Sequence, residues 1–323
     1  MQFSFEDLVW ACEVVGRWVP PTPQYVWPSL VDAIGAEVWV KHENHTPVGA
    51  FKVRGGLAYA ERLRLERPSI KGIVSATRGN HGQSLAFAGR AIGMKVTIVV
   101  PNGNSPDKNA AMRGLGAELI VHGHDFQSAR EHASALGAER GLEIVLSYHP
   151  DLVLGVATYA RELFGAAGEL DAVYVPVGMG TGISGVIGVR DLLGLRTEVI
   201  GVVAETAPAT ERSFAAGRVV TTEFANTFVD GVACRVPDPD AISVICSGAA
   251  RILTIGEDDA AEAMRVLFSA THNVAEPAGA LALAGLLQER SWATGKRVAL
   301  VQTGGNVDAD MLVQVLAGRT PTA

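Results

Sequence analysis

A lysine set among small and apolar residues is the first candidate for chemistry in this chain. Lys52 follows Gly49-Ala50-Phe51 and precedes Val53, at the predicted start of a helix. A lysine forms a Schiff base only as the neutral amine, and both desolvation and a helix N-terminus lower its pKa. Lys52 is therefore a candidate covalent catalyst, with an ordinary solvated surface lysine as the alternative.

A glycine-rich segment provides a candidate phosphate site. Gly178, Gly180 and Gly182 alternate with other residues directly after the apolar run 172–177. Glycines let consecutive backbone N–H groups face one anion, and the start of the following helix adds positive potential. The spacing indicates a bound phosphate. A plain strand-to-helix turn is the alternative, although it needs fewer glycines.

The same glycines also fit a dinucleotide-binding fold. Gly180, Gly182 and Gly185 satisfy G-x-G-x-x-G, and Glu205 ends the next predicted strand, where an acid that binds ribose is expected. An NAD-dependent dehydrogenase is therefore a second hypothesis from these residues, and other segments must decide between the two.

Alternating strands and helices must position these residues. Short runs, most of them continuously apolar, alternate with stretches of helical length. Continuous runs are typical of strands covered on both faces, and strand–helix alternation predicts parallel sheets. We predict an α/β protein with two parallel-sheet domains and helices on both faces. The predicted strands are 38–41, 72–75, 96–100, 118–121, 144–147, 172–177, 199–203 and 298–302, and the predicted helices include 53–66, 82–92, 126–140, 257–271 and 308–316.

Composition excludes several classes of function. The 323 residues carry 27 Lys+Arg against 34 Asp+Glu, a net charge of −7, which provides no basic surface for nucleic acid. Three cysteines without a C-x-x-C spacing indicate neither a disulfide framework nor a thiolate metal site. The longest apolar run, 278–287, is half of the roughly 20 residues that a bilayer span needs. With no recognisable signal peptide, we expect a cytoplasmic protein without a membrane partner.

The segment around Lys52 resembles a known signature. Its residues 49–56, Gly-Ala-Phe-Lys-Val-Arg-Gly-Gly, are similar to the Gly-Ser-Phe-Lys-x-Arg-Gly-Ala motif of the serine/threonine dehydratases, within the fold type II (tryptophan synthase β-like) pyridoxal-phosphate enzymes. The likeness extends over residues 5–315 and favours this family over the dinucleotide hypothesis. Five further segments match landmarks of the family in order: 77–83, 178–182, 230–231, 276–279 and 303–308.

The resemblance implies a role for each matched residue. Lys52 would hold pyridoxal 5'-phosphate covalently and then remove the substrate Cα proton. Asn80 would form a hydrogen bond with the phenolic oxygen of the cofactor. The residues implied in binding the cofactor are Phe51, Lys52, Asn80, Gly178, Met179, Gly180, Thr181, Gly182, Glu276 and Thr303. Those implied in binding the substrate are Thr77, Arg78, Gly79, Asn80 and His81.

Thr303 bears on the reaction that the resemblance implies. It matches the serine that meets the pyridine nitrogen of the cofactor in this family, and a neutral hydroxyl cannot keep that nitrogen protonated as a carboxylate would. Such a partner favours β-elimination over transamination. We therefore expect dehydration of a β-hydroxy amino acid of the L-threonine or L-serine type, giving a 2-oxo acid and ammonia. A bulkier substrate, such as L-threo-3-phenylserine or 3-hydroxyaspartate, is the alternative.

Arg78 departs from the pattern of the racemases in this family. They carry a serine there, which acts as the acid/base on the cofactor face opposite the lysine. An arginine stays charged near neutral pH and has no proton to exchange usefully. The sequence therefore disfavours an amino-acid racemase. Whether the Arg78 side chain contacts the substrate or turns to solvent stays open at this point.

Glu205, Ala209 and Glu211 have the spacing of a divalent-cation loop found in several family members. Two carboxylates and one backbone carbonyl suit Mg²⁺, Ca²⁺ or Mn²⁺. A solvated acidic loop is the alternative, and the dinucleotide hypothesis assigns Glu205 a different role.

The resemblance also implies a domain organisation. We expect a large cofactor-binding domain from residues 1–71 and 151–323, and an inserted, mobile small domain from residues 72–150. The expected partner is a small amino acid, and the expected assembly is a homodimer or homotetramer. A catalytically inactive binding protein would be expected to lose Lys52 or Asn80, and this chain retains both.

Overall fold

Two β-sheets organise the chain. The structure, a computed structural model, describes residues 3–322, which form ten β-strands and fourteen α-helices. The expected α/β architecture with two parallel sheets is confirmed. The strands are β1 (Gln24–Val26), β2 (Glu37–His42), β3 (Gly72–Ala76), β4 (Lys95–Val100), β5 (Glu118–Val121), β6 (Glu143–Ile144), β7 (Ala172–Pro176), β8 (Glu198–Ala204), β9 (Arg251–Ile255) and β10 (Arg297–Gln302).

The helices follow the strands in near alternation. They are α1 (Phe5–Gly16), α2 (Pro28–Ile34), α3 (Lys52–Glu66), α4 (Asn80–Ile92), α5 (Pro106–Gly114), α6 (Phe126–Arg140), α7 (Pro150–Ala167), α8 (Thr181–Leu192), α9 (Ala209–Ala216), α10 (Pro239–Gly248), α11 (Glu257–Thr271), α12 (Pro277–Gln288), α13 (Arg290–Ala293) and α14 (Ala309–Leu316). Four connections lead to a parallel neighbour, as strand–helix alternation predicts: β3 to β4, β4 to β5, β7 to β8 and β8 to β9.

The larger sheet has the strand order β1-β2-β10-β7-β8-β9. All its neighbouring strands are parallel except β1, which pairs antiparallel with β2. The central strand β7 is buried at every position, in agreement with its continuous apolar sequence. Its alternate residues enter two cores: Tyr174 packs on the side of α12, while Val173 and Val175 pack on the side of α7 and α8.

The smaller sheet has the order β5-β4-β3-β6, and all its neighbours are parallel. Val74 and Val99 pack against α6 on one face, and Ile73 and Ile98 pack with Leu85 of α4 on the other. Both faces are therefore covered, as a parallel sheet requires.

One predicted strand is much shorter in the structure than its sequence indicated. The run 144–147 forms a strand only at Glu143–Ile144, because the chain then turns into α7, whose first residue is Pro150. Leu146 within this run is 49% exposed, so this apolar residue does not occupy a buried position in a strand. The predicted strand 38–41 is confirmed as β2, whereas β1, which pairs antiparallel with it, was not predicted.

Between residues 3 and 322, no helix is long and apolar enough to cross a bilayer. The apolar run 278–287 lies in α12, which is buried along most of its length. This helix is apolar all round because it packs beneath the larger sheet.

Candidate active site

Lys52 begins α3 beside the carboxyl end of β10. The Phe51 N–H donates to the Thr303 carbonyl oxygen at 2.9 Å. Ala50 and Gly304 form an antiparallel bridge next to this bond. The Lys52 Nζ atom lies 4.9 Å from the centre of the Phe51 ring. The backbone thus holds the start of α3 against the segment that follows β10.

The environment of Lys52 favours its neutral form. Burial lowers the pKa of Lys52 to about 8, while the nearby Glu276 carboxylate acts in the opposite direction. An unperturbed lysine has a pKa of about 10.4, so Lys52 is far more often neutral at physiological pH than a surface lysine. This shift is the one that covalent chemistry by an amine requires.

Asn80, the first residue of α4, is held by hydrogen bonds from both sides. Its Nδ2 donates to Oε1 and Oε2 of Glu276 at 2.8 and 3.0 Å. Its Oδ1 accepts from Nδ2 of Asn306 at 2.8 Å, and Asn306 Nδ2 also donates to the Val48 carbonyl at 2.8 Å. These bonds fix the orientation of the Asn80 amide, with Nδ2 toward Glu276.

Glu276 precedes α12 and is 4% exposed. Burial raises the pKa of Glu276 to about 7, the Asp230 carboxylate adds to the rise, and Lys108, Asn80 and Lys52 oppose it. Glu276 therefore titrates near neutral pH, and its charge acts directly on Lys52.

The loop 77–81 joins β3 to α4. Because Asn80 is the first helical residue, the N–H groups of the first turn face outward from the start of the helix and favour an anion. His81 is buried, its pKa is lowered to about 3 by burial and by Lys52, and its Nε2 has no hydrogen-bond partner within residues 3–322. Arg78 is exposed, so its side chain turns to solvent.

The loop 178–182 joins β7 to the start of α8. Gly180 has φ +97°, a left-handed conformation that favours glycine, and a Cβ built there would lie 2.9 Å from the Ala241 Cβ. A Cβ on Gly178 would lie 2.6 Å from the Gly231 carbonyl oxygen. Tyr159 donates from its hydroxyl to the Gly182 carbonyl at 3.0 Å. The three glycines therefore leave a tight turn at the start of a helix, with little room for a side chain at 178 or 180.

Sequence analysis missed three residues at this site: Lys108, Asp230 and Asn306. Asp230 and Asn306 stand in segments matched by the resemblance, but no role was assigned to them. Lys108 carried no signal, because its place depends on how α5 packs over α4. Its Nζ forms an ion pair with the Asp230 carboxylate at 2.5 Å.

The three residues of the predicted cation loop lie away from Lys52, after β8 and in α9. Glu205 is exposed in an acidic depression that also contains Glu257. The Ala209 carbonyl accepts a hydrogen bond from the Ser213 hydroxyl at 2.6 Å. Within the described residues no cluster of three or more His, Cys, Asp or Glu side chains could hold a metal. The predicted set has only two carboxylates, so it stays a prediction.

Comparison with known proteins identifies the class of enzyme. Residues 16–304 match the family described as pyridoxal-phosphate dependent enzyme. Because this match spans most of the chain, the protein belongs to that family, and its fold is that of the fold type II members. This family depends on pyridoxal phosphate, so the match supports the resemblance and not the hypothesis of an NAD-dependent dehydrogenase.

Relatives and solved structures resemble the chain over nearly its whole length. An L-threo-3-hydroxyaspartate ammonia-lyase of Saccharomyces cerevisiae is 30% identical over 98% of this chain and 97% of its own. An L-threonine ammonia-lyase of Thermotoga maritima is 32% identical over 97% of this chain and 78% of its own. The crystal structure of a pyridoxal 5'-phosphate-dependent aspartate racemase has a TM-score of 0.91, with 28% identity, 96% of this chain covered and 97% of that one.

The residues present fit pyridoxal phosphate. Lys52 offers an amine with a lowered pKa, and the glycine-rich loop 178–182 suits a phosphate at the start of α8. Asn80 has an amide whose orientation is already fixed by Asn306 and Glu276. An amine for the aldehyde and a glycine loop for the phosphate are therefore present, and the Asn80 amide would reach the phenolic oxygen with an N–H that it otherwise donates to Glu276.

Proposed function

We propose that the protein is a β-hydroxy amino acid ammonia-lyase, which removes water from its substrate and releases a 2-oxo acid and ammonia. The observation that carries the proposal is the arrangement of Lys52, Asn80 and Glu276 around a site that fits pyridoxal phosphate. Two relatives that match nearly the whole chain carry ammonia-lyase names, which supports the same reaction class.

Each part of the site has a task in this reaction. Lys52 holds the cofactor covalently through Nζ, and the loop 178–182 holds its phosphate. The loop 77–81 binds the substrate α-carboxylate at the start of α4. Pyridoxal phosphate, when bound, supplies the electron sink that acidifies the hydrogen on the substrate Cα. Thr303 offers only a neutral hydroxyl, which disfavours transamination.

The atoms and charges balance around Lys52. The substrate amine would first displace Nζ from the cofactor, which frees Lys52 as a neutral amine. Nζ would then take the proton from the substrate Cα and give it to the hydroxyl as the Cβ–O bond breaks, so that water leaves. Return of Nζ to the cofactor would release the enamine, which tautomerises and is hydrolysed in solution to the 2-oxo acid and ammonia. Burial favours the neutral amine, while the negative charge of Glu276 acts against it by raising the pKa of Lys52.

A racemase is the second candidate, because an aspartate racemase shares the fold with a TM-score of 0.91. Racemisation needs a proton donor on the face of the planar carbanion opposite Lys52. Arg78 occupies the position that the resemblance assigns to that donor, and it is exposed and permanently charged. The lyase is therefore the function that these residues support best.

Residues 72–150 form the mobile small domain in this proposal, and residues 1–71 and 151–323 form the large one. The smaller sheet lies within 72–150, and side chains bridge it to the rest, for example Ser105 Oγ to Asp308 Oδ1 at 2.7 Å. Hydrogen exchange that slows in 72–150 when substrate binds supports this motion, and unchanged exchange there contradicts it.

The assembly proposed is a homodimer or homotetramer. Phe5, Trp18 and Tyr25 are 48%, 44% and 53% exposed, and exposed aromatic side chains favour association between copies. Light scattering tests this: a mass of two or four times the 33.9 kDa chain supports the assembly, and a mass of one chain contradicts it.

The function is tested with a panel of β-hydroxy amino acids. The holoenzyme is expected to form 2-oxo acid and ammonia in equal amounts from at least one of L-serine, L-threonine and L-threo-3-hydroxyaspartate. Lys52→Ala, assayed in parallel, is expected to form neither product. If no member of the panel yields a 2-oxo acid, the lyase proposal is wrong.

A further inference from the structure

Lys108 places a buried cation beside the loop that binds the substrate carboxylate in the proposed function. Its side chain is only 12% exposed. A Cβ built on Gly79 would lie 3.1 Å from the Lys108 Cδ and 3.8 Å from its Nζ. The lysine therefore crosses directly over the loop at a point where the absence of a side chain makes room for it.

Acidic groups surround this cation. The Asp230 carboxylate lies 2.5 Å from Nζ. Glu276 and Asp308 are also close enough to favour its charged form, and together the carboxylates outweigh burial and raise the pKa of Lys108. The ammonium group is thus charged near neutral pH, and it lies beside Gly79 of the loop.

The carboxylates of Glu276 and Asp230, which both act on Lys108, differ in their freedom to move. Glu276 is 4% exposed and is held by the Asn80 amide. The Asp230 side chain is 40% exposed, and its ion pair with Lys108 is its only side-chain hydrogen bond within the described residues. Asp230 is therefore the partner that can turn to water when another carboxylate takes its place at Nζ.

We propose that Lys108 is a specificity-determining residue that binds a second carboxylate, carried on the substrate Cβ, so that the preferred substrate is an acidic β-hydroxy amino acid such as 3-hydroxyaspartate. The inference rests on the proposed function. Serine and threonine carry a hydrogen atom or a methyl group at that position, and neither can accept a hydrogen bond from the Lys108 ammonium. A carboxylate forms a charge-assisted hydrogen bond with it.

The test compares two substrates by turnover and two small acids by binding, and in each pair only one member carries the second carboxylate. Lys108→Gln is expected to lower kcat/KM for L-threo-3-hydroxyaspartate by about tenfold more than for L-threonine, because only the former loses a charged partner. Calorimetric titration of the holoenzyme with succinate and with butyrate gives a readout independent of turnover. The variant is expected to lose the preference for succinate and to keep the weak affinity for butyrate.

Matched variants separate this role from general effects. Arg113→Gln removes an exposed cation from the same helix α5 and is expected to leave the substrate preference unchanged. Lys108→Arg keeps the charge and is expected to restore part of the preference. Thermal unfolding of each variant shows whether it is folded.

Several outcomes would overturn the inference. Equal losses for both substrates in Lys108→Gln would mean that Lys108 serves the α-carboxylate or the fold. Loss of the preference in Arg78→Gln, with Lys108→Gln unaffected, would assign the second carboxylate to Arg78. Efficient turnover of threonine together with no turnover of hydroxyaspartate would refute this inference and leave the lyase proposal intact. Absence of lyase activity on both substrates would refute the proposed function, and succinate binding would still test the role of Lys108.

Discussion

The Asn80 amide donates to both carboxylate oxygens of Glu276, at 2.8 and 3.0 Å, and the two residues stand at the starts of helices that pack on different sheets. Asn80 begins α4, beside the smaller sheet, and Glu276 precedes α12, beneath the larger one. The contact therefore joins the start of α4 to the carboxylate that raises the pKa of Lys52 against the effect of burial. The pH behaviour of the site should depend on it.

Glu276→Gln is expected to shift the pH at which the cofactor-free protein captures pyridoxal phosphate. Only neutral Lys52 can react, so capture speeds up as the pH rises through its pKa of about 8. Glu276 raises that pKa, and its removal therefore moves the midpoint to lower pH. The rate of appearance of the visible absorbance, measured against pH, gives the midpoint. Glu262→Gln, an exposed change on α11, serves as control, and a midpoint that stays in place in Glu276→Gln would refute the coupling.

Lys52→Ala is expected to remove the visible absorbance of the lysine-bound cofactor and to lower turnover by at least about a thousandfold. Among residues 3–322, Lys52 is the lysine of this site whose pKa is lowered, whereas that of Lys108 is raised. Absorbance spectra of the purified proteins measure this directly. Lys71→Ala, at an exposed position, should keep both properties. An intact absorbance band in Lys52→Ala would place the covalent bond elsewhere.

Gly180→Ala is expected to weaken pyridoxal phosphate binding by about tenfold, because a left-handed residue with a side chain costs about 1–2 kcal/mol and the new Cβ meets Ala241. Gly194→Ala is the matched control, since Gly194 also has positive φ but open space around it, at the other end of α8. The control should lose stability, by roughly 1 kcal/mol, without losing affinity. Equal affinities of the two variants, measured by equilibrium titration, would contradict the phosphate role of the loop.

Removal of divalent cations tests the loop of Glu205, Ala209 and Glu211. If these residues hold a metal, a chelator is expected to lower the midpoint of thermal unfolding, because a bound ion stabilises the folded state by mass action. Glu211→Gln should show the lowered midpoint without chelator. An unchanged midpoint together with no metal by elemental analysis would make the loop merely acidic.

Much of the fold could be predicted because burial leaves a pattern in the sequence. The helices at 126–140 and 257–271 have the predicted bounds, and β7 was recognisable from its continuous apolar run. Strand β1 was missed, since three residues at a sheet edge with partial exposure carry no clear period. The strand predicted at 144–147 was too long, because most of these residues form the connection to α7, a helix that begins at Pro150.

The candidate site was predictable where chemistry requires a residue type at a fixed place along the chain. Lys52, Asn80 and the glycine loop stand in short motifs, and the structure brings the start of α3 and the start of α4 to the carboxyl ends of β10 and β3. Lys108 could not be found in that way. Its role depends on contacts with Gly79 and Asp230, which are distant in sequence and meet only after α5 packs over α4.

The measurement that tests the lyase assignment most directly is proton NMR of the holoenzyme with L-threo-3-hydroxyaspartate and with L-threonine in D₂O, followed by chiral analysis of the unreacted amino acid. The account predicts that 2-oxo acid and ammonia accumulate together, and that the remaining substrate keeps its L configuration, because Arg78 cannot deliver a proton to the face opposite Lys52. Formation of the D-configured amino acid as fast as the 2-oxo acid would contradict it, and would require a second acid/base in the site.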